Sequence, residues 1–104
     1  MHSKWDIILV SFPFREDLQK TKTRPCVIID IDKLTGEYVI IGISSVPHWS
    51  DSEYHIKYHK QANLSEGSVV MTDHIVRVNA DDRFITIGKL DKTDRINIMA
   101  LMSE

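Results

Sequence analysis

Apolar residues along this chain form short runs that are separated by charged and turn-forming residues. The first three runs are rich in β-branched and aromatic types, and they predict strands at Trp5 to Phe12, Cys26 to Ile31 and Tyr38 to Ile43. Because the runs are apolar at successive positions, we expect both faces of each strand to be largely covered. The turn sequence KLTGE around Gly36 joins the second and third strands into a hairpin.

The second half of the chain predicts further short strands. In the sequence YHIKYHK, residues 54–60, the side chains alternate between two faces and indicate a half-exposed strand. Three more strands are predicted at Ser68 to Thr72, His74 to Asn79 and Phe84 to Leu90. All of these segments are short and closely spaced.

One helix is predicted at the end of the chain. Asp91 is a suitable N-cap residue, and the sequence KTDRINIMALM follows it. Helical spacing predicts a stripe of apolar side chains on the core side, formed by Ile96, Met99 and Ala100, with Ile98 and Met102 beside them. Many short strands with one terminal helix predict a mainly β fold, namely a small barrel.

Length and composition limit the number of domains and the class of protein. A chain of 104 residues, of which 42% are hydrophobic and 27% charged, predicts a single globular domain that spans residues 1–104. The formal charge of -2 argues against a generic polyanion binder, so any nucleic-acid site must be local. Cys26 is the only cysteine, and no apolar stretch has the length of a signal or membrane segment. We therefore expect a cytoplasmic protein with no membrane partner.

Polar residues at the ends of two predicted strands are candidates for a functional site. Arg24 precedes Pro25 at the entrance of the second strand, and the proline biases Arg24 toward an extended backbone. Ser44 and Ser45 follow the third strand, where its apolar run stops. Because the start of one hairpin strand lies beside the end of the other, Arg24 and Ser44 should be neighbours. A rigidly held guanidinium is suited to gripping a phosphate.

Simpler explanations of these residues stay open on the sequence alone. Arg24 is also explained as a solvated side chain at a barrel rim, and Ser44 and Ser45 as hydroxyls of a turn. His55 and His59 lie four residues apart on a predicted strand, about 13 Å along it, which is too far for them to share a zinc ion. We therefore expect no metal site.

Five segments follow one another along nearly the whole chain: DIILVSFPF, KTRPCVIID, IIGISSV, LSEGSVVMTDHIVRV and ITIGKL. In this order they resemble the successive blocks of the MazF/PemK family of bacterial toxins. The resemblance implies an SH3-like barrel of the CcdB/PemK type with a C-terminal α-helix, assembled as a homodimer. It also implies an mRNA interferase of a toxin-antitoxin system, a ribosome-independent endoribonuclease that a cognate antitoxin protein neutralises.

The same resemblance implies roles for individual residues. Arg24 is expected at the scissile phosphate, and Ser44, where the family has Thr or Ser, is expected in the same catalytic site. The substrate would be single-stranded RNA, whose bases can be splayed and read, and DNA is not expected as a partner of the toxin alone. The 2'-hydroxyl of the adjacent ribose would be the nucleophile, with no metal and no cofactor. The residues expected to contact RNA are Lys20, Lys22, Ser45, His48 and Ser68.

Two departures from the family pattern are visible, and one catalytic role has only a candidate. Trp5 stands where the family commonly has Gly, and the segment REDLQKTKT differs in composition from the Gly- and Ser-rich loop that is frequent there. We therefore expect a different preference for RNA sequence. His48 is the candidate general base, because it lies four residues beyond Ser44 and imidazole transfers protons readily near neutral pH.

Two other functions stay open at this level. A non-enzymatic toxin that binds a protein target, as the gyrase-poisoning CcdB toxins of similar fold do, would need no catalytic pair. An SH3-like interaction module would present an aromatic groove to proline-rich ligands, for which Trp49, Tyr54 and Tyr58 are candidates. The same rings are also suited to stacking on unpaired bases. The Arg24 and Ser44 pair favours the endoribonuclease.

Overall fold

The protein is described by a computed structural model that covers residues 2–14 and 17–103, with the side chains of residues 12–14 and 17–22 outside that description. Within these ranges the chain forms six strands and one helix. Their bounds are β1 Asp6–Phe14, β2 Asp17–Asp32, β3 Glu37–Ser44, β4 Glu53–His55, β5 Val69–Asn79, β6 Ile85–Lys89 and α1 Lys92–Met102.

All six strands belong to one antiparallel sheet with the order β4-β5-β3-β2-β1-β6. The predicted mainly β fold with a C-terminal helix is therefore confirmed. The word barrel is approximate, because no pairing between the outer strands β4 and β6 closes the sheet in the described part of the chain.

The sheet has two covered faces, since its strands alternate apolar side chains on both sides as expected. On the helix face, α1 contributes Ile98 to a buried cluster with Val27, Ile41 and Val70. The opposite face is called the Cys26 face here, and its buried cluster consists of Ile8, Val10, Cys26, Ile28, Tyr38 and Ile40. Each face thus has its own apolar layer.

The helix begins as predicted but faces the core with a different side. The carboxylate of Asp91 accepts a hydrogen bond from the Thr93 amide at 2.8 Å, which confirms the N-cap. The buried helix residues are Asp94 and Ile98, whereas Ile96 is 59% and Met99 48% exposed.

The predicted core stripe was therefore wrong for Ile96, Met99 and Ala100, of which Ala100 is also exposed. Ile98 is buried and Met102 packs against the core, as expected. The reason is Asp94, whose buried carboxylate accepts hydrogen bonds from the sheet side and so fixes the rotation of the helix about its axis.

The second predicted strand, Cys26 to Ile31, is much longer in the structure. β2 begins at Asp17, and Arg24 is paired with Val10 on β1, so Arg24 lies within the strand and not at its entrance as predicted.

Three predicted strands in the second half of the chain also changed their bounds. The strand expected over residues 54–60 ends at His55, because the amides of Lys57 and Tyr58 donate to the Asp94 carboxylate at 3.0 and 3.1 Å instead of to a strand. The two strands expected over residues 68–72 and 74–79 form the single strand β5. The ladder between β5 and β3 shifts its register between the two predicted segments, since Val70 is paired with Ile43 and Ile75 with Ile41.

Trp5 has a left-handed backbone, with φ of 72°. Such a conformation costs a non-glycine residue about 1–2 kcal/mol, and it explains why glycine suits this position in the family that the sequence resembles. Backbone hydrogen bonds hold it, from the Trp5 amide to the Ile28 carbonyl at 2.6 Å and from the Leu90 amide to the Trp5 carbonyl at 3.1 Å. Among the described residues, no helix is long and apolar enough to cross a membrane.

Candidate functional site

Arg24 and Ser44 come together through the register of the β2–β3 hairpin. Cys26 on β2 is paired with Gly42 on β3. This is the last pair of the ladder, and Arg24 and Ser44 lie two residues beyond it along each strand, so both are on the face of Cys26 and Gly42. That face is the Cys26 face, because Arg24 and Cys26 are two residues apart.

The register extends this pair into a row across four strands. Ser44 is paired with Val69 on β5, and Val69 is paired with His55 on the outer strand β4. Arg24, Ser44, Val69 and His55 therefore lie side by side, and this set is called the site row below. Neighbouring strands are about 4.8 Å apart, so the row spans roughly 15 Å.

Arg24 is half-buried, and its charge acts on the core beside it. Burial raises the pKa of the Cys26 thiol to about 12, and the Arg24 guanidinium opposes that rise. The thiol also donates a long hydrogen bond to the Arg24 carbonyl, with an S to O distance of 3.7 Å. Cys26 is therefore a protonated core residue at neutral pH. The reactive character of this part of the site row comes from the charge of Arg24 and not from the thiol.

Ser44 is buried, and its hydroxyl bonds within its own turn. Its Oγ donates to the Val46 carbonyl at 3.0 Å and accepts from the Val46 amide at 3.2 Å. Ser45, the next residue, is exposed. In the structure Ser44 thus shapes the exit from β3, which is the turn role that the sequence left open for it.

The loop after β3, residues 45–52, is held by a buried carboxylate that the sequence analysis missed. Glu53 accepts hydrogen bonds from the His48 amide through both of its oxygens and from the Ser50 amide, each at 3.0 Å. Burial raises the pKa of the Glu53 carboxyl, but these hydrogen bonds and His48 outweigh it, so the net pKa lies below the usual value. Nothing in the local sequence pattern distinguishes Glu53 from a solvated strand-end residue.

Trp49 lies between His48 and Ser50, whose amides donate to Glu53, and it has a left-handed backbone with φ of 59°. Its indole stacks on the imidazole of His55 with ring centroids 4.6 Å apart, and it is nevertheless 77% exposed. His55 is also exposed. The loop therefore presents an aromatic pair to solvent at the β4 end of the site row.

Three of the residues expected to contact RNA have described side chains, and these lie in two different environments. Ser45 and His48 are exposed on the loop 45–52, and the His48 Nδ1 lies 3.4 Å from a Glu53 oxygen. Ser68 is buried, and its hydroxyl donates to the Ser65 carbonyl at 2.7 Å, one residue before the site row reaches β5. The side chains of Lys20 and Lys22 lie outside the described residues, so those two assignments stay predictions.

A second buried carboxylate lies on the other side of the sheet. Asp94 accepts hydrogen bonds from the Tyr54 hydroxyl and from the amides of Lys57 and Tyr58. Burial raises the pKa of Tyr54 to about 12, and the bond to Asp94 adds to that rise. Across the residues that the structure describes, no three His, Cys, Asp or Glu side chains are grouped so that they could hold a metal ion.

Comparison with known proteins adds the family. No curated protein sequence matches significantly. A solved MazE-MazF structure (Form-II) from Deinococcus radiodurans matches with a TM-score of 0.74 at 13% identity, over 98% of this chain and 92% of that chain. MazF (Form-I) from the same organism matches with a TM-score of 0.75, also at 13% identity, over 98% of this chain and 93% of that chain.

At such low identity these structures establish the fold alone, and the family comes from a sequence model. Residues 3–102 match the family described as PemK-like, MazF-like toxin of type II toxin-antitoxin system. That match covers nearly the whole sequence and includes every residue of the site row. The chain therefore belongs to the PemK-like, MazF-like toxin family of type II toxin-antitoxin systems.

Proposed function

We propose that this protein is an endoribonuclease toxin that cleaves single-stranded RNA through attack by a ribose 2'-hydroxyl. The observation that carries the proposal is the register of the β2–β3 hairpin, whose Cys26–Gly42 pair puts Arg24 and Ser44 two residues further along the two strands on the same face, in a chain that belongs to a toxin family. Arg24 is half-buried, and a guanidinium is a strong binding group for a phosphate, because its planar fork holds two phosphoryl oxygens.

Arg24 stabilises the charge that develops during cleavage. The 2'-oxygen forms a bond to phosphorus while the bond from phosphorus to the 5'-oxygen breaks. The 2'-hydroxyl gives its proton to a base, and the leaving 5'-oxygen takes a proton from an acid. Negative charge grows on the phosphoryl oxygens in between, where a preorganised donor in a shielded site contributes about 3 kcal/mol to the transition state.

Ser44 and His48 have supporting roles in this proposal. The Ser44 hydroxyl can rotate from the Val46 carbonyl toward a phosphoryl oxygen while it keeps the hydrogen bond from the Val46 amide. His48 is exposed beside the turn, and its imidazole is the candidate general base. The mechanism requires neither a metal nor a cofactor.

The partners follow from the same assignment. The related structures from Deinococcus radiodurans include MazE-MazF complexes, and by analogy we propose a cognate antitoxin for this chain. We further propose a homodimer with the RNA groove at or near its interface. An antitoxin tail that covers the site row would exclude RNA.

The products of cleavage test the mechanism. Purified protein is incubated with a long RNA in EDTA, and the new ends are mapped. We expect an upstream fragment with a 2',3'-cyclic phosphate or 3'-phosphate and a downstream fragment with a free 5'-hydroxyl. Ends with a 5'-phosphate, or cleavage that stops in EDTA, would indicate a metal-activated water instead.

A second substrate tests the nucleophile directly. The RNA carries a single 2'-deoxy nucleotide just upstream of the mapped cut, and a control RNA carries it several nucleotides away. We expect cleavage at the modified position to be lost and cleavage of the control to continue. Intact RNA after every incubation, together with toxicity in a bacterial host, would favour a non-enzymatic toxin.

A further inference from the structure

The aromatic pair of Trp49 and His55 is not explained by folding. Trp49 is 77% exposed, so its indole gains little from burial. Its left-handed φ of 59° is unfavourable for a residue with a side chain. The stack on His55 covers one face of the indole at 4.6 Å, and the exposed fraction leaves the other face open to solvent.

The loop holds this conformation by a specific device. Glu53 has a side chain that is only 3% exposed, and it accepts hydrogen bonds from the amides on both sides of Trp49, those of His48 and Ser50. Because the two flanking amides are fixed, the backbone of Trp49 is fixed between them. Glu53 thus acts as a positioning residue for an exposed ring.

The position of the pair in the sheet relates it to the proposed cleavage site. His55 lies in the site row, two strands from Ser44 and three from Arg24. The three strand spacings from Arg24 to His55 correspond to about 15 Å, and directly paired residues share one face of the sheet. A strand of RNA whose phosphate is held by Arg24 and that runs along the site row toward β4 therefore brings a nearby base to Trp49.

We propose that Trp49 is a stacking platform for one unpaired base of the RNA substrate, close to the scissile phosphate. The inference rests on the proposed function and adds a residue that binds substrate without taking part in the chemistry. An indole with one open face stacks on any base, because every base has a π-face. A protein partner anchored by Trp49 is the competing explanation, and the experiment below separates the two.

The test measures RNA affinity without cleavage. The probe is an RNA oligonucleotide that contains the mapped cut site with a 2'-deoxy nucleotide upstream of it, so that it binds but stays intact. Trp49→Ala should raise the Kd about 5- to 150-fold, as expected for the loss of one stacked base. Trp49→Phe should stay within a few-fold of wild type. The matched control is Leu34→Ala, which removes a side chain 99% exposed in the β2–β3 turn and should change nothing.

Three further readouts exclude a merely structural effect. When single bases of the probe are replaced by abasic sites in turn, one position should weaken binding to wild type but not to Trp49→Ala. Tryptophan fluorescence should be quenched by the probe in wild type and not in Trp49→Phe, which retains only Trp5. In cleavage assays Trp49→Ala should raise KM and leave kcat within a few-fold.

Glu53→Gln tests the positioning role. It should raise the Kd as well, and combined with Trp49→Ala it should add no further loss, because both changes remove the same platform. Losses that add would mean that Glu53 supports the fold in general.

The outcomes distinguish this inference from the function on which it rests. An unchanged Kd and an unchanged abasic profile in Trp49→Ala, with wild-type protein that still cleaves RNA, would overturn the platform alone and leave Trp49 as an anchor for a protein. Wild-type protein that neither binds nor cleaves RNA would remove both proposals.

Discussion

Glu53 and Asp94 are two buried carboxylates that do the same local chemistry on opposite faces of one sheet. Each accepts hydrogen bonds from two backbone amides of a neighbouring loop. Glu53, on the Cys26 face, holds a loop whose central side chain is exposed. Asp94, on the helix face, draws the loop after β4 onto α1 and is itself fully buried.

The comparison shows that the effect of a buried carboxylate depends on whether the loop that it binds lies on the helix face or on the Cys26 face. On the helix face the bonded amides directly follow Ile56, which belongs to the buried cluster, so the gain is stability. On the Cys26 face the bonded amides flank the exposed Trp49, so the gain is a fixed loop conformation beside the site row. We therefore expect changes on the Cys26 face to alter activity, and changes on the helix face to alter stability.

The largest effect should come from the charge in the site row. Arg24→Ala should lower kcat/KM for RNA cleavage 100- to 1000-fold, because it removes the donor that faces the developing phosphoryl charge. The thermal midpoint should change little, because the side chain is only half-buried. Arg24→Lys should recover only part of the activity, since an ammonium group lacks the bidentate fork. Arg83→Ala, at a side chain 91% exposed, is the control, and equal cleavage by both alanine variants would remove Arg24 from the mechanism.

On the helix face, Asp94→Ala should be costly to the fold. It leaves the amides of Lys57 and Tyr58 without their acceptor, and we expect a loss of about 2–4 kcal/mol in the free energy of unfolding. Urea titration measures this loss. Asp91→Asn is the matched control, because asparagine caps a helix as well as aspartate does. A stable Asp94→Ala protein with impaired cleavage would contradict the division between the two faces.

The two faces can also be compared by changing one glycine on each, Gly88 and Gly42, to alanine. A Cβ at Gly88 would meet the backbone of Ala62, which cannot yield easily, and Gly88→Ala should cost about 1–3 kcal/mol. A Cβ at Gly42 would meet only the terminal methyl of Met71, at 3.0 Å, so Gly42→Ala should cost less than about 1 kcal/mol. Equal losses in thermal unfolding would mean that both faces are equally rigid.

The smallest expected effect is the loss of the contribution of Glu53 to stability at acidic pH. The folded pKa of Glu53 lies below its usual value of 4.5, so its contribution to stability is complete above pH 4.5 and is lost as the pH falls through the lowered folded pKa. Glu53→Gln should therefore be less stable than wild type at neutral pH, and the gap should shrink in acid. Unfolding curves at several pH values test this, with the exposed Glu66→Gln as control. A gap that is constant with pH would contradict the role of the carboxylate.

Some of the molecule followed directly from the sequence pattern, and the residues show why. The β2–β3 hairpin and the N-cap at Asp91 depend on local signals, namely apolar runs, a turn glycine and a capping side chain. Such signals need no knowledge of the rest of the fold.

What the sequence could not provide depends on contacts between distant residues. Helical spacing predicted Ile96 and Met99 in the core, but Asp94 turned the helix through hydrogen bonds to a loop 36 and 37 residues away. In the same way, no periodicity marks Glu53 as buried. A buried polar residue does not fit the hydrophobic pattern of the sequence, and its position is explained only by the distant groups that hydrogen-bond to it.

Asp94 also has a consequence for the outer strand of the sheet. β4 is three residues long, and the next amide, that of Ile56, already donates to the Ser68 carbonyl at 3.1 Å. Since Asp94 takes the two amides after it, an extended peptide that tried to add a seventh strand here would find almost no unpaired donors. The same carboxylate that binds the helix to this loop therefore protects the β4 edge from β-augmentation, so a peptide or a second copy that approaches β4 must bind through side chains.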